Sequence, residues 1–389
     1  TSAAQDDNPE IQEARRRGIR IVKRYDFFPE LTKGKKTIAI AGTHGKTTTT
    51  GMVATILTDA GLDPTAIVGG IIPELGGNAR AGKGDYFVVE ADEYDRAFLG
   101  LVPTIAVVTS IELDHPDIYR DLDEIARAFH QFLESVPPDG LVIGWGDSER
   151  VLHELVAARA PFARYGFGAD DSWRASDVKP NGLGGSDFSV WHENSYLGDF
   201  HLQIPGTHNV LNALAALIVA DRVGVNLKSA SKTLARFRGA ERRFQIKGEF
   251  RGITIVDDYA HHPTEIRATL AAARSRFPGK RIWTVFQPHT FTRTKALLDD
   301  FANAFGDADH VIVVEVFAAR ERDSMGISGA QIVARMRHAD AHFIATLDDS
   351  VAFLERQLTA GDVLVTLGAG NVDSIGVQLA LAWQGDRNG

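Results

Sequence analysis

The chain has 389 residues, 44% hydrophobic and 24% charged, which is ordinary for a globular protein and long enough for two or three domains. Its 42 Lys plus Arg against 51 Asp plus Glu leave a formal charge of −9, which disfavours wholesale nucleic-acid binding and asks for local basic sites wherever an anion is held. The absence of cysteine excludes disulfides, thiolate metal sites and cysteine nucleophiles. No apolar run reaches about 18 residues and "TSAAQDDNPE" has no apolar signal core, so a soluble cytoplasmic protein is the default expectation.

The opening, "TSAAQDDNPEIQEARRRGIRIVKRYDFFPELTKG", predicts one helix and one strand. That is too little for a domain and reads as a remnant of something larger or a packing arm. From residue 37, "TIAIA", a helix over Thr47 to Ala60, "YFVVE", "TIAVVTS" and a periodic helix over Leu122 to Leu133 alternate, the rhythm of a mostly parallel sheet covered by helices. The turn-rich "SDFSVWHENSYLGDFHLQIPG" predicts appended antiparallel strands, and "HNVLNALAALIVADRVG" an amphipathic helix. After "RFRGAERRFQ" a second α/β series begins: "GITIVDDYA", a helix from Pro263, "RIWTVFQP", a helix near Lys295 to Phe305, "HVIVVEVF" and "DVLVTLGAG". The expected architecture is a remnant or linker over 1–34, a central P-loop-type ATPase domain over 35–240, and a C-terminal Rossmann-like α/β domain over 241–389. The boundary falls near Gly239 to Gln245, where glycine and arginine interrupt the periodicity.

The chemistry concentrates first in "AGTHGKTTTT". A glycine-rich turn between strand and helix lets backbone N–H groups close around phosphate oxygens, with the helix N-terminus adding partial positive charge. Lys46 then reaches the β and γ phosphates of ATP and Thr47 ligates Mg²⁺. The usual eight-residue pattern needs glycine at position 40, where this chain has Ile40; the cradle is the shorter form Gly42, Thr43, His44, Gly45, Lys46, Thr47. Thr48 is a further phosphate donor on the same turn, although a plain strand-to-helix turn accounts for the bare pattern as well.

Mg²⁺ needs hard oxygen ligands, and "VVEADEYD" ends a strand with Glu90 best placed. Asp92 and Glu93 stay open between ligands and a solvated loop, and Asp95 reads as solvated. "VVTSIELDHPD" brings Asp114 and His115 to another strand end. A DH pair alone is a common capped turn, but strand ends in an open α/β sheet converge on one crevice.

At this point the residues resemble the Mur ligases. "AGTHGKTTTT", "EADEYD", "ELDH", "GTHNVLNALAA", "RRF", "DDYAHHPTE", "FQPHTFTRTK" and "LGAGN" occur in that family's order and at plausible spacing. Each motif is modest alone; eight in order are specific. The resemblance implies an ATP- and Mg²⁺-dependent ligase that joins an amino acid to the carboxylate of a nucleotide-linked muramic acid through an acyl phosphate. The implied substrates are UDP-N-acetylmuramate and L-alanine, and the implied setting is peptidoglycan precursor synthesis.

Carried over by position, the resemblance gives Lys46 and Thr47 phosphate and metal roles, places Glu90 and His115 in the metal shell, and makes Asn209 and Asn212 adenine contacts on one helix face. Read alone, Asn209 is an N-cap and Asn212 a surface amide. Arg243 is implied to reach the ATP phosphates, where by itself it reads as a surface ion-pairing residue. Asp258 and Tyr259 fall on the nucleotide and acceptor side, with His261 and His262 close by, while "HHPTE" alone reads as a helix start with Pro263 in the first turn. His289 and Arg293 are the implied contacts to the alanine carboxylate or the intermediate, a task that suits the arginine fork; a surface loop is the bland reading.

Three departures stand out. Thr290 follows His289 where many relatives carry arginine, so one implied carboxylate contact is missing and the inference of amino-acid selectivity is the one it weakens most. The helix "DLDEIARAFHQFL" lacks the lysine that some Mur ligases carbamylate to bridge a second Mg²⁺, so a different second-metal shell is expected. The chain starts where the family's UDP-binding domain would be ending, so a truncated protein with an intact ATPase core is expected. Because the cradle and the acceptor segment lie on separate domains, domain closure is expected to complete the site. Attachment of a preformed tripeptide in cell-wall recycling, or of another amino acid, is the alternative within the family. A P-loop nucleotide switch is remoter, and a dinucleotide oxidoreductase remoter still, since no G-x-G-x-x-G follows a strand.

Overall fold

In the computed structural model, which describes residue 4 and residues 6–385, the chain divides into two compact units. One holds residues up to Val178 together with Asp187–His201 and Asn209–Phe237; the other holds Lys179–Ser186, Leu202–His208 and the chain from Arg238 onward.

The first unit is built on ten strands: β1 (Lys36–Ala41), β2 (Thr65–Ile72), β3 (Gly77–Arg80), β4 (Tyr86–Glu90), β5 (Ile105–Val108), β6 (Leu141–Trp145), β7 (Phe162–Gly166), β8 (Trp173–Pro180), β9 (Ser186–His192) and β10 (Ser195–His201). Their order is β10-β9-β8-β7-β6-β5-β1-β4-β2-β3. β1 runs parallel to both β4 and β5, and Thr37 through Ala41 are all buried. A strand covered on both faces reads as an unbroken apolar run, which is why "TIAIA" does not alternate. The appended antiparallel strands expected from the turn-rich segment are β9 and β10, paired in a hairpin.

Helix Lys46–Asp59 leaves β1, and every residue from Thr47 to Leu57 is buried. The helix expected to be amphipathic, Thr207–Arg222, is instead buried at Asn209, Val210 and everywhere from Asn212 to Ala220, so it is covered on all sides, as an interior helix is. Among the described residues of the N-terminal segment there is no strand; the segment forms two short helices, Pro9–Arg16 and Arg24–Leu31. Asn8 caps the first and Pro9 starts it, a strong local signal that the charged "EARRR" continues.

Helix Leu122–Glu134 begins at Asp121, whose carboxylate accepts from the Glu124 N–H at 2.8 Å. It buries Ile125, Phe129, Phe132 and Leu133. Phe98, from the loop after β4, stacks on Phe132 at 5.0 Å and meets Phe129 edge-on at 5.3 Å. This aromatic trio fastens the acidic loop Asp92–Gly100 to the body of the unit.

The second unit carries β11 (Gln245–Phe250), β12 (Ile253–Asp258), β13 (Ile282–Phe286), β14 (His310–Val313), β15 (Ala341–Phe343) and β16 (Val363–Leu367), ordered β11-β12-β16-β13-β14-β15. Only β11 is antiparallel to its neighbour. β12, β13 and β16 are buried throughout, and alternate residues feed two cores: Val256, Phe286 and Val365 on one face, Ile255, Val285 and Leu364 on the other. The helix expected near Lys295 to Phe305 is two short ones, Phe291–Ala296 and Leu298–Ala302, interrupted at Leu297. No helix among the described residues is long and apolar enough to cross a membrane.

Truncating Phe98 to Ala should cost the first unit about 3–5 kcal/mol and speed amide exchange across Asp92–Gly100. Hydrogen–deuterium exchange mass spectrometry checks this; unaltered exchange in that loop would mean that the ring does not anchor it.

Candidate active site

Because β1 lies between β4 and β5, the loops at the carboxyl ends of all three strands share one edge of the sheet, where open α/β sheets place their ligands. The loop after β1 is held in shape by the chain leaving β5. Thr43 N–H donates to Ser110 O at 2.9 Å, His44 N–H to Ser110 Oγ at 3.0 Å, and Glu112 N–H to Thr43 Oγ1 at 2.8 Å. Thr109 Oγ1 donates to Ala41 O at 3.2 Å and also bonds His44 O. Two glycines make the loop possible. Gly42 has φ +130°, and a Cβ there would stand 2.1 Å from Thr109 Oγ1; Gly45 has φ +79°, and its Cβ would stand 2.5 Å from Asn212 Oδ1. The result is a preformed turn whose backbone opens helix Lys46–Asp59.

Lys46 turns into this loop. Its ammonium donates to Gly42 O at 2.5 Å, Thr43 O at 3.2 Å and Glu93 Oε1 at 2.9 Å. Burial opposes its charge, but Glu93, Asp92 and Glu90 together outweigh that and raise its pKa. Thr47 Oγ1 donates to Glu90 Oε1 at 3.1 Å, while Glu90 Oε2 accepts from Gly69 N–H at 2.6 Å. Thr48 is buried in the first helical turn.

The acidic loop divides by role. Asp92 accepts from Tyr94 N–H and pairs with Arg24, and Asp95 pairs with Lys23. Both therefore tie the loop to the N-terminal segment, and Asp95 is not simply solvated. Glu93 is wholly buried beside Lys46, and burial pushes its carboxyl above the usual range. Tyr119 Oη donates to Glu93 O at 2.7 Å. His115 sits at φ +55°, with Nε2 3.7 Å from Asp114 Oδ2 and 4.0 Å from Glu93 Oε1. One group of side chains thus contains Lys46, Thr47, Glu90, Glu93 and His115.

Asn209 and Asn212 are both buried. Asn212 Nδ2 donates to Asn209 Oδ1 at 3.1 Å, and its Oδ1 accepts from Thr49 Oγ1 at 3.1 Å. Neither bland reading holds: the helix starts at Thr207, so Asn209 is inside it, and Asn212 is an interior brace beneath Gly45 and Thr49.

In the second unit the expected residues gather around the ends of β12 and β13. Asp258 is buried and accepts from Phe244 N–H at 2.7 Å and Ala260 N–H at 2.8 Å. Burial pushes its pKa up to about 6, against the pull of Arg243 and these two bonds. The Tyr259 ring has two guanidiniums over it, Arg242 at 5.2 Å and Arg243 at 5.3 Å from its centre. Arg243 also bonds Glu265 at 3.4 Å. His262 caps helix Pro263–Arg276 through Thr264 N–H, with Glu265 in the first turn and accepting from His261 N–H, so "HHPTE" does start a helix.

His261 meets Tyr259 edge-on at 5.4 Å and His289 at 5.9 Å. Arg293, 4% exposed, donates to His289 Nδ1 at 3.2 Å. Since a guanidinium has only donors, His289 Nδ1 is the acceptor and a neutral ring carries its proton on Nε2. Thr290 holds φ +64°, costly for a β-branched residue; its N–H bonds Phe317 O and its carbonyl accepts from Thr294.

Comparison with known proteins settles the family. Residues 40–220 match the Mur ligase middle domain and residues 242–370 the Mur ligase glutamate ligase domain. The chain belongs to the Mur ligase family. It is 45% identical over 384 residues to the UDP-N-acetylmuramate–L-alanine ligase of Geobacter sp. strain M21, covering 98% of this chain and 83% of that one. Among solved structures it is similar to the UDP-N-acetylmuramate-alanine ligase of Thermotoga maritima, with TM-score 0.82, 29% identity and coverage of 99% and 84% of the two chains. It is also similar to a murein peptide ligase from Psychrobacter arcticus 273-4, with TM-score 0.74, 26% identity and coverage of 98% and 84%.

For a Mur ligase site, several supporting residues escaped the motif reading. Gly69 is one: a Cβ there would stand 2.5 Å from Glu90 Oε1, and its only sequence signal is a glycine pair inside a strand. Arg242 is another. It donates to Asp257 at 2.9 Å, to Gly368 O at 2.8 Å and to Gly370 O at 3.1 Å, stitching "RRF" to "LGAG". Thr109 and Ser110 carried no signal at all.

Gly42→Ala should lower the thermal midpoint and abolish binding of an ATP analogue measured by calorimetry, since neither its φ nor Thr109 admits a methyl. Wild-type binding would show that the loop adapts. For Asp258 the sign is set by a folded pKa, about 6, above the unfolded value of about 3.9. Its protonated form favours the fold at low pH, a contribution lost as pH rises through about 6. A ¹³C-carboxyl titration should give that midpoint, and Arg243→Ala should move it upward; a midpoint near that of a free carboxyl would contradict the burial argument.

Proposed function

We propose that this chain is an ATP-dependent, ADP-forming amide ligase that joins L-alanine to the carboxylate of UDP-N-acetylmuramate in peptidoglycan precursor synthesis. The observation that carries the reading is the preformed cradle over Gly42–Thr47, with Lys46 and the Thr47–Glu90 pair at its mouth, in a chain 45% identical to a ligase of that name. An amide does not form from a carboxylate and an amine until the carboxylate oxygen becomes a leaving group. The carboxylate oxygen attacks the γ phosphorus and ADP departs; the alanine amine, having given up a proton, attacks the acyl carbon and inorganic phosphate departs. Catalysis of both steps is positioning and neutralisation of charge.

The chain's residues divide this work. The backbone of Gly42, Thr43, His44 and Gly45 and the hydroxyl of Thr48 cradle phosphates, and Lys46 neutralises the transferring group. The Thr47 hydroxyl and the Glu90 carboxylate, hydrogen-bonded at 3.1 Å, are the hard oxygen donors that fit Mg²⁺; with His115 they would hold it, where it would supply charge neutralisation of phosphate oxygens. We assign Asn209 and Asn212 to the adenine edge and Arg243, Asp258 and Tyr259 to the nucleotide side of the second unit. Tyr259, His261, His262, His289 and Arg293 are assigned to the acceptor. The Nε2–H tautomer of His289 and the buried Arg293 present donors suited to a carboxylate, which is how a small α-amino acid offers its charge.

The direct test is phosphate release with product mass analysis, using ATP, Mg²⁺ and UDP-N-acetylmuramate with L-alanine, glycine, L-serine or a tripeptide in turn. Alanine-dependent release with the matching mass gain is expected. Preference for the tripeptide would move the chain to the cell-wall recycling branch, and release without any amine would favour a nucleotide switch. Lys46→Ala leaves the buried Glu93 without its counter-charge and should lower the thermal midpoint, and at a temperature where the variant is folded it should reduce turnover by at least about 100-fold; near wild-type turnover would sink the phosphate assignment.

A further inference from the structure

The segment after β13 contains a turn that its own residues do not hold. Thr290 lies between His289 and helix Phe291–Ala296 with φ +64° and ψ 143°, and its side chain makes no cap. A β-branched residue persists in such a conformation only where its surroundings over-determine it, and the first N–H groups of a helix need acceptors from elsewhere. Both needs are met by the chain that follows β14. Phe317 N–H donates to Pro288 O at 2.8 Å and Thr290 N–H to Phe317 O at 2.9 Å, a parallel bridge that pairs His289 with Phe317. The Phe317 ring stacks on the imidazole at 5.8 Å. Further on, Glu321 reaches the start of the helix: Oε2 accepts from Phe291 N–H and, at 3.1 Å, from Thr292 N–H, and Oε1 accepts from the Thr292 hydroxyl. Glu321 N–H donates to Ala318 O at 2.9 Å, closing a turn whose Ala319 is itself left-handed at φ +51°.

We propose that Glu321 is a positioning residue for the acceptor: a helix cap supplied from 30 residues away that locks the Thr290 turn and so sets His289 and Arg293 together as one receiver for a carboxylate. Both oxygens of Glu321 are engaged in the cap, so it acts through the residues on either side of Thr290 and not on a ligand. Arg293 donates to His289 Nδ1 across that turn at 3.2 Å, which puts the proton of a neutral ring on Nε2. A turn free to relax would part the two side chains and release the tautomer. The cap depends on acceptors more than on charge. A glutamine in the same place keeps an oxygen for both N–H groups, and the Thr292 hydroxyl can turn to accept from its amide NH₂; an alanine loses all three bonds. The proposal rests on the reading of His289 and Arg293 as contacts to the acceptor carboxylate, and adds that capture of a small α-amino acid depends on a residue that never touches it.

The test pairs steady-state kinetics with ¹⁵N-histidine magnetic resonance of the ligand-free protein. In Glu321→Ala the KM for L-alanine should rise at least about tenfold while the KM for ATP stays within about twofold of wild type. The His289 resonances should at the same time lose the pattern of an accepting Nδ1 and a protonated Nε2. Glu321→Gln should preserve that pattern and keep the alanine KM within about threefold of wild type. An unchanged alanine KM in Glu321→Ala, an equal rise in the KM for ATP, or unaltered His289 resonances would each overturn the inference. So would a Gln variant as impaired as the Ala variant. If Glu321→Ala does not fold, Glu321→Asp, which withdraws the carboxylate by a methylene, should show both changes in part, and wild-type values there overturn it instead. Wild type without alanine-dependent turnover would overturn the acceptor reading itself, and the ligand-free resonances would still decide whether Glu321 positions His289.

Discussion

The first unit depends on the burial of one strand, β1, between two parallel neighbours. A strand flanked by β4 and β5 has to be apolar on both faces, and its direction delivers the Gly42–Gly45 loop to the edge where Glu90, Glu93 and His115 also emerge. No residue of the site needs a separate device to reach it. The parallel arrangement does the gathering, and the loops differ only in the chemistry that they carry.

Upon that frame the loop geometry is set by exclusion as much as by attraction. Thr109 fills the space that a side chain at 42 would take, Asn212 the space at 45, and the Glu90 carboxylate the space at 69. Each close approach puts a polar group where a Cβ would otherwise be, so the cradle is narrow, backbone-lined and ready for an anion. The carboxylates around Lys46 keep its charge despite burial. The same balance makes Lys46 the charge partner of the buried Glu93.

The second unit uses the same sheet logic with a different cargo. Its strand ends carry aromatic and basic side chains in contact: Tyr259 with two arginines over its ring, His261 against Tyr259 and His289, and Arg293 on His289. Arg242, adjacent to the expected Arg243, is a structural clamp on the turn after β16, and the left-handed Thr290 concentrates backbone strain in the segment after β13.

What the sequence determined by itself is what short-range physics encodes. Apolar runs placed β1, β4, β5, β12, β13 and β16, helix signals placed Lys46–Asp59 and Pro263–Arg276, and glycine with lysine marked the phosphate loop. It also offered the candidate site residues, because Lys, Glu, His and Arg recur there in ordered motifs. Where it misled, the pattern was read without its surroundings or its local caps. Burial from all sides, not periodicity, governs Thr207–Arg222; the basic opening coils into two short helices instead of forming a strand; Leu297 breaks a helix that the pattern left whole. Only the tertiary structure decided that Asn212 braces the loop, that Gly69 is shaped by a carboxylate 21 residues away in sequence, and that Glu93 is buried against Lys46 while Asp92 is tied to Arg24. Three acidic residues in "EADE" look alike along the chain; they differ because each meets a different distant neighbour, and for a carboxylate the surroundings decide both charge and role.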